Sequence, residues 1–97
     1  MRKVTYHATV GDEVIRSAVY YEQQCEGLGS RFLDDYDRAL TDITCRPSAW
    51  PPLDGPYRRH QLRHFPYGVI YRVLPDQIRI LALMHLHQHP DYWKGRR

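Results

Sequence analysis

The sequence predicts one α+β domain over residues 1–97, with the element order β-α-α-β-β-β. Two observations support this prediction. Apolar residues recur at helical spacing in two adjoining segments before residue 47, whereas three short apolar or alternating segments follow residue 57. The segment between them, PSAWPPLDGPY, contains four prolines and predicts a rigid loop. We therefore expect a mainly antiparallel four-stranded sheet, with a helical hairpin on one face and arginines and histidines on the other.

The first half begins with a short predicted strand, RKVTYH, at residues 2–7. Thr9 followed by Asp12 resembles a capping box and predicts a helix over residues 10–26. A second helix is predicted over residues 28–46, ending before Pro47. Its apolar stripe consists of Leu28, Phe32, Tyr36, Ala39, Leu40 and Ile43. Two amphipathic helices joined by a glycine-containing turn indicate an antiparallel hairpin.

The second half predicts three strands, at residues 58–64, 67–74 and 77–86. Pro75-Asp76 is typical of a tight turn between the last two, because proline supplies the fixed φ that the turn needs. The third strand, QIRILALMHL, is the most apolar, and we expect it at the centre of the sheet.

Length and composition indicate a soluble single-core protein. No apolar run approaches the roughly 20 residues that span a bilayer, and the N-terminus lacks a signal-peptide pattern. We therefore expect a cytoplasmic protein with no membrane partner. Cys25 and Cys45 are far apart and fall in apolar helical patterns, which favours free core thiols over a disulfide.

Charge divides the chain into an acidic and a basic part. Residues 1–55 hold six Lys/Arg against nine Asp/Glu, whereas residues 56–97 hold eight against two. Five of the six histidines also lie in the basic part. This asymmetry favours an anionic partner, either nucleic acid or an acidic protein segment, although a domain with uneven surface charge gives the same composition.

Four stretches together resemble the RelE/ParE superfamily of type II toxin–antitoxin toxins. They are AVYYEQQCEGLGSRFLDDYDRAL, RPSAWPPL, LRHFPYGVIYRV and ILALMHLHQHPDYW, and they span nearly the whole chain. Their order and spacing resemble the ParE-like branch more than the ribosome-dependent RelE branch. The resemblance implies a small α+β toxin without a cofactor, kept inactive by a cognate antitoxin protein. It implies one of two targets, DNA gyrase or mRNA on the ribosome.

The same resemblance implies candidate catalytic residues if the chain is a ribonuclease. Arg63 stands where RelE-like nucleases place a phosphate-binding arginine, and His87 where they place an arginine or histidine. Tyr92 lies near the place of their C-terminal tyrosine, which Trp93 could equally occupy. We add His85 as a further acid–base candidate, since RNA cleavage needs a base, an acid and cations for the phosphorane. The RelE lysines have no match, because only Lys3 and Lys94 occur. For Arg63, a salt bridge to a helix acid is an equal alternative.

The alternating histidines His85, His87 and His89 raise the alternative of a metal site. On one extended strand His85 and His87 share a face with Leu81 and Leu83, but no fourth ligand is evident, and we expect no metal. We interpret the run as a strand end at a basic groove. The predicted nucleic-acid-binding or antitoxin-binding residues are Arg58, Arg59, Arg63, Arg72, Arg96 and Arg97.

Three functions remain open from the sequence: a gyrase poison, which the ParE-like pattern favours, a ribosome-dependent mRNA endoribonuclease, and a non-toxic or decayed toxin that retains only antitoxin binding.

Overall fold

The structure, a computed structural model, describes residues 2–97 and places two helices against one face of a five-stranded sheet. The elements are β1 (Lys3–Tyr6), α1 (Val10–Gln24), α2 (Leu28–Cys45), β2 (Pro52–Asp54), β3 (Tyr57–Gln61), β4 (Tyr67–Val73) and β5 (Gln77–His85). The strand order is β1-β5-β4-β3-β2, in which β1 pairs parallel to β5 and every other pair is antiparallel. The predicted α+β class, helical hairpin and mainly antiparallel sheet are confirmed.

The strand count of four was too low by one. The additional strand, β2, lies in the proline-rich segment that predicts a loop, and it pairs with β3 at the sheet edge. Proline is tolerated on an edge strand because its missing N–H is not needed there. Since prolines otherwise indicate a loop, the sequence pattern did not predict this strand. The central position belongs to β4, and β5 lies between β4 and β1.

The predicted capping box does not form. Thr9 makes no side-chain cap to α1, and its hydroxyl lies 2.9 Å from Nδ1 of His7 instead. Glu22 caps the second helix from the end of the first, because its carboxylate accepts the backbone N–H groups of Gly27 and Gly29, each at 3.0 Å. A carboxylate is favourable at this place, where the first N–H groups of a helix have no partner within the helix.

The main core fills the space between the helices and the sheet. Phe32 and Ile43 of α2, together with Val69 and Tyr71 of β4, are completely buried there. A smaller core lies on the outer face of the sheet, the face away from the helices, where Trp93 is only 3% exposed. Trp93 packs with Ile70, Leu81, Ala82 and Met84. The cysteines are free, but both are exposed, so the expectation of core thiols is wrong.

A bulge in β5 decides which side chains face the helices. Ile80 pairs with Tyr71 and Ala82 pairs with Ile70, so Leu81 is an extra residue opposite the β4 backbone. Leu81 therefore turns to the outer face, whereas Leu83 packs in the main core. The expectation that both leucines share a face with the following histidine is wrong, because strict alternation ends at the bulge.

The predicted separation of arginines and histidines onto the outer face holds only in part. Arg72 of β4 and Arg79 of β5 are cross-strand partners, and both lie on the outer face. His60 is buried on the helix side, where it contacts α2. No helix within residues 2–97 is long and apolar enough to cross a bilayer.

Two helical glycines give a matched test of the hairpin packing. A Cβ on Gly29 of α2 would lie 2.7 Å from the main-chain oxygen of Ala18, whereas a Cβ on Gly11 of α1 would meet nothing within 4 Å. Gly29→Ala should lower the free energy of unfolding by about 1–3 kcal/mol through overpacking. Gly11→Ala should raise it by about 0.5–1 kcal/mol through higher helix propensity. Urea unfolding followed by circular dichroism measures both, and equal effects of the two substitutions would contradict the close helix contact.

Candidate functional site

The Glu13 carboxylate, in the first turn of α1, is 6% exposed and contacts three other residues. Its Oε2 accepts the Tyr92 hydroxyl at 2.6 Å and a guanidinium N–H of Arg96 at 2.9 Å. Its Oε1 accepts the backbone N–H of Leu83 at 3.1 Å. A buried charge needs such partners, because its desolvation is otherwise costly. The network therefore joins α1, β5 and the segment after β5, residues 86–97, which we call the C-terminal segment.

This network caps the half of β5 that β1 leaves unpaired. The pairing of β1 with β5 ends at Ile80. Beyond it, Arg96 donates to the carbonyl oxygen of Leu81 at 3.1 Å, and the N–H of His85 donates to the side-chain oxygen of Gln88 at 2.8 Å. The Leu83 N–H donates to Glu13 between these two bonds, so side chains bind main-chain groups of Leu81, Leu83 and His85 in turn. They replace a neighbouring strand on an edge that would otherwise be open to pairing.

A surface cleft of about 260 Å³ lies beside this network, between α1 and the end of β5. It is lined by Glu13, Arg16, Ser17, Tyr20, Tyr67, Leu83, His85, Gln88 and Tyr92. Two of the four candidate catalytic residues, His85 and Tyr92, line it together, and neither Arg63 nor His87 does. The Tyr92 hydroxyl already donates to Glu13, so in this arrangement it belongs to the internal network.

The histidine run leaves the strand at His85, the last residue of β5. His87 and His89 are exposed in the turns that follow. Nδ1 of His85 accepts the N–H of His87 at 3.0 Å, and Nδ1 of His89 accepts the N–H of Asp91 at 3.1 Å. Two of the three imidazoles thus stabilise local turns. Across the described part of the chain, no three His, Cys, Asp or Glu side chains are placed to hold one metal ion.

Arg63 lies on the α2 side of the molecule. Its guanidinium approaches Oδ2 of Asp42 at 3.5 Å, and the same oxygen contacts Nε2 of His60 at 3.2 Å. Its backbone N–H faces the carboxylate of Asp35, at 3.4 Å. The sequence left two roles open for Arg63, a phosphate contact and an ion pair to a helix acid. The contact with Asp42 of α2 is an ion pair of the second kind. With 55% of the side chain exposed, this pair contributes little to stability.

The six arginines predicted to bind a partner fall into separate places. Arg58 donates to the carbonyl oxygen of Trp50 and holds the proline-rich loop, Arg63 pairs with Asp42, and Arg96 is used by Glu13. The side chain of Arg59 lies across Gly68. Arg72 and Arg97 line a cavity of about 540 Å³ on the outer face, together with Arg79.

Comparison with known proteins places these features in a family. The chain is 32% identical over 91 residues to Toxin ParE2 of Mycobacterium tuberculosis, in both strain CDC 1551 / Oshkosh and strain H37Rv. The matched region covers 93% of this chain and 87% of either relative. The chain belongs to the ParE toxin family. No protein-family model matches it. The fold is similar to that of a solved chain of the chromosomal ParDE TA system from P. aeruginosa, with a TM-score of 0.65 at 13% identity, covering 88% of this chain and 96% of that one.

The resemblance to a ParE-like toxin is thereby confirmed for this ParE-family chain. Two features of its site were missed by sequence reasoning. Neither residue belongs to a motif that the sequence singles out: Glu13 lies in the first turn of α1, and Arg79 lies in the most apolar of the predicted strands. The available signal for Glu13 was its position three residues after Val10 and one residue before Val14, which places it on the side of the helix that carries these apolar residues. For Arg79 it was the equal spacing of Arg72 and Arg79 from the Pro75-Asp76 turn, which makes them cross-strand partners.

Substitution of Glu13 should destabilise this ParE-family toxin strongly. Glu13→Gln leaves the Arg96 guanidinium in a largely buried place without its carboxylate, and removing one partner of a buried pair costs about 3–5 kcal/mol. Asp12→Asn is the matched control, because Asp12 is exposed in the same turn and its loss should cost at most about 1 kcal/mol through the helix dipole. Denaturant unfolding measures both variants. A Glu13→Gln protein as stable as Asp12→Asn would refute the network's structural role.

Two tyrosines with raised pKa values, Tyr21 and Tyr36, predict a loss of stability in alkali. Burial raises the pKa of Tyr21 to about 12, with a further contribution from Tyr67, and burial also raises the pKa of Tyr36. The unfolded chain therefore loses these protons first, and stability that is complete below about pH 10 should fall as the pH rises toward 12. Urea unfolding at a series of pH values should show a shallower decline for Tyr21→Phe/Tyr36→Phe than for the unchanged protein. The same slope in both proteins would contradict this origin.

Proposed function

We propose that this ParE-family toxin is neutralised by a cognate antitoxin and acts by poisoning DNA gyrase. The observation that supports the proposal most is the similarity to Toxin ParE2 along 93% of the chain, because it covers nearly the whole chain rather than one motif. The fold likeness to a chain of a ParDE TA system supports the antitoxin partner in particular.

The surface of α1 supports a protein partner as well. Ile15 and Val19 are 62% and 49% exposed, one helical turn apart, and Tyr6 of β1 is 46% exposed. Tyr6 and Ile15 border a groove of about 610 Å³ between the helices and β1, which also contains Leu40. Exposed apolar side chains in one region are typical of interaction sites. In the proposed complex the antitoxin covers this groove and the exposed side chain of Val19, one turn beyond Ile15 on α1. We call this combined surface the helix groove.

The placement of the ribonuclease candidates favours gyrase over the ribosome. Phosphodiester cleavage requires an acid, a base and cations around one phosphate. His85 and Tyr92 line one cleft, but Arg63 is paired with Asp42 and His87 is exposed in a turn. The cleft contains one arginine, Arg16, but it lacks Arg63, the arginine to which the resemblance assigns the phosphate contact. A poison that binds gyrase and stabilises its cleaved DNA complex needs no such constellation.

Antitoxin binding is tested with the product of the reading frame adjacent to the gene. Ile15→Asp/Val19→Asp should weaken its complex with this chain at least tenfold in calorimetry, because each substitution places a charge in an apolar contact and tenfold is about 1.4 kcal/mol. Ser30→Asp is the control, since Ser30 is exposed on α2 outside the helix groove. Full affinity for the double variant would exclude the helix groove as the contact.

The target is tested with two parallel assays of the purified protein. Incubation with gyrase, ATP and supercoiled plasmid should give linear DNA after detergent and protease treatment, and added antitoxin should prevent it. Incubation with translating ribosomes should leave the mRNA ends unchanged. Cleavage of mRNA at the ribosomal A site with gyrase unaffected would reject the proposal in favour of the endoribonuclease.

A further inference from the structure

A row of polar side chains crosses the outer face of the sheet. In the register of the strands, Tyr57 of β3 is opposite Arg72 of β4, and Arg72 is opposite Arg79 of β5. Arg79 is in turn opposite Thr5 of β1. The cavity of about 540 Å³ on this face is lined by Tyr57, Arg72, Leu74, Gln77, Arg79, Leu81 and Arg97. We call it the arginine cavity.

The pairing of Arg72 with Arg79 is unfavourable by itself. Like charges directly opposite one another on neighbouring strands repel at close range. The residues that line the arginine cavity include three arginines and neither Asp nor Glu. The Arg72 guanidinium lies 5.8 Å from the centre of the Tyr57 ring, a contact that orients the cation but does not neutralise it. An anion between the two guanidinium groups would remove the repulsion.

Two further observations concern the hydrogen-bonding groups of the two arginines. Arg79 donates from Nε at 3.3 Å and from NH2 at 3.0 Å to one main-chain oxygen of Arg97, so its fork already holds an oxygen acceptor in the arginine cavity. Nε of Arg72 is buried and has no hydrogen-bond partner. Buried polar groups are nearly always hydrogen-bonded, and this one has an unused donor beside a second cation.

We propose that the arginine cavity is a phosphate-binding site. Its ligand is a phosphate group, either in a nucleic-acid backbone or free, bound between Arg72 and Arg79 in place of the Arg97 oxygen. Planar arginine forks match the oxygens of a phosphate, and one phosphate offers enough oxygens for both forks. The site is distinct from the cleft near Glu13, and it requires neither gyrase nor an antitoxin.

Binding to fluorescent duplex DNA, followed by anisotropy at several salt concentrations, tests the proposal. Arg72→Gln and Arg79→Gln should each weaken binding about tenfold and lower the slope of log affinity against log salt by about one. Arg38→Gln is the matched control, with the same charge change at an exposed residue of α2, and should change the affinity less than about twofold. Circular dichroism confirms folding, and Arg72→Gln should melt no lower than the unchanged protein because a like-charge contact is lost.

Inorganic phosphate and polyglutamate separate the sources of the anion. Phosphate should raise the melting midpoint of the unchanged protein above that in chloride of equal ionic strength, and should not do so for Arg79→Gln. If free phosphate acts and DNA does not bind, the ligand is a small phosphate. Equal weakening of DNA binding by Arg38→Gln, or no response to either DNA or phosphate, would overturn the proposal. So would polyglutamate competing as well as DNA, since this would indicate an acidic peptide.

Discussion

The Glu13 carboxylate is the constraint on which the arrangement of this molecule depends. It is buried, it is charged, and it binds a backbone N–H of β5 and two side chains of the C-terminal segment. Since a buried carboxylate without partners is expensive, α1, β5 and the C-terminal segment must be in place together. The same contacts satisfy the strand edge beyond Ile80, where β1 ends. Helix packing, strand protection and the position of the last twelve residues are therefore coupled.

This coupling explains how the two faces of the sheet come to carry different kinds of side chain. The helix face is filled by the apolar stripes of α1 and α2. The outer face is covered in part by Trp93, which the C-terminal segment brings over Leu81 and Met84. The remainder of that face presents Arg72 and Arg79, next to the end of the same segment at Arg97. Three of the basic residues of the second half of the chain, Arg72, Arg79 and Arg97, thus meet on this surface, while Arg58 and Arg96 hold internal contacts.

The sequence predicted the elements well because their signals are local. Helical spacing up to Ile43, the stop before Pro47 and the Pro75-Asp76 turn all reflect neighbouring residues, and the structure agrees with them. The bulge at Leu81, the edge strand at Pro52–Asp54 and the burial of Glu13 depend on contacts between distant segments. Strict alternation therefore placed Leu81 on the wrong face, and charge alone grouped Arg96 with the surface arginines. Family resemblance indicated the class of toxin, but it did not distinguish structural arginines from exposed ones.

Amide hydrogen exchange at Leu83, measured by NMR on the unchanged protein, tests the role of Glu13 most directly. The Leu83 N–H has a carboxylate rather than a strand as its acceptor. If the Glu13 network replaces a strand, this amide should exchange as slowly as that of Ile70 in the central strand β4, through global unfolding only. Exchange of Leu83 near the rate of an unprotected amide, with Ile70 still protected, would contradict the account.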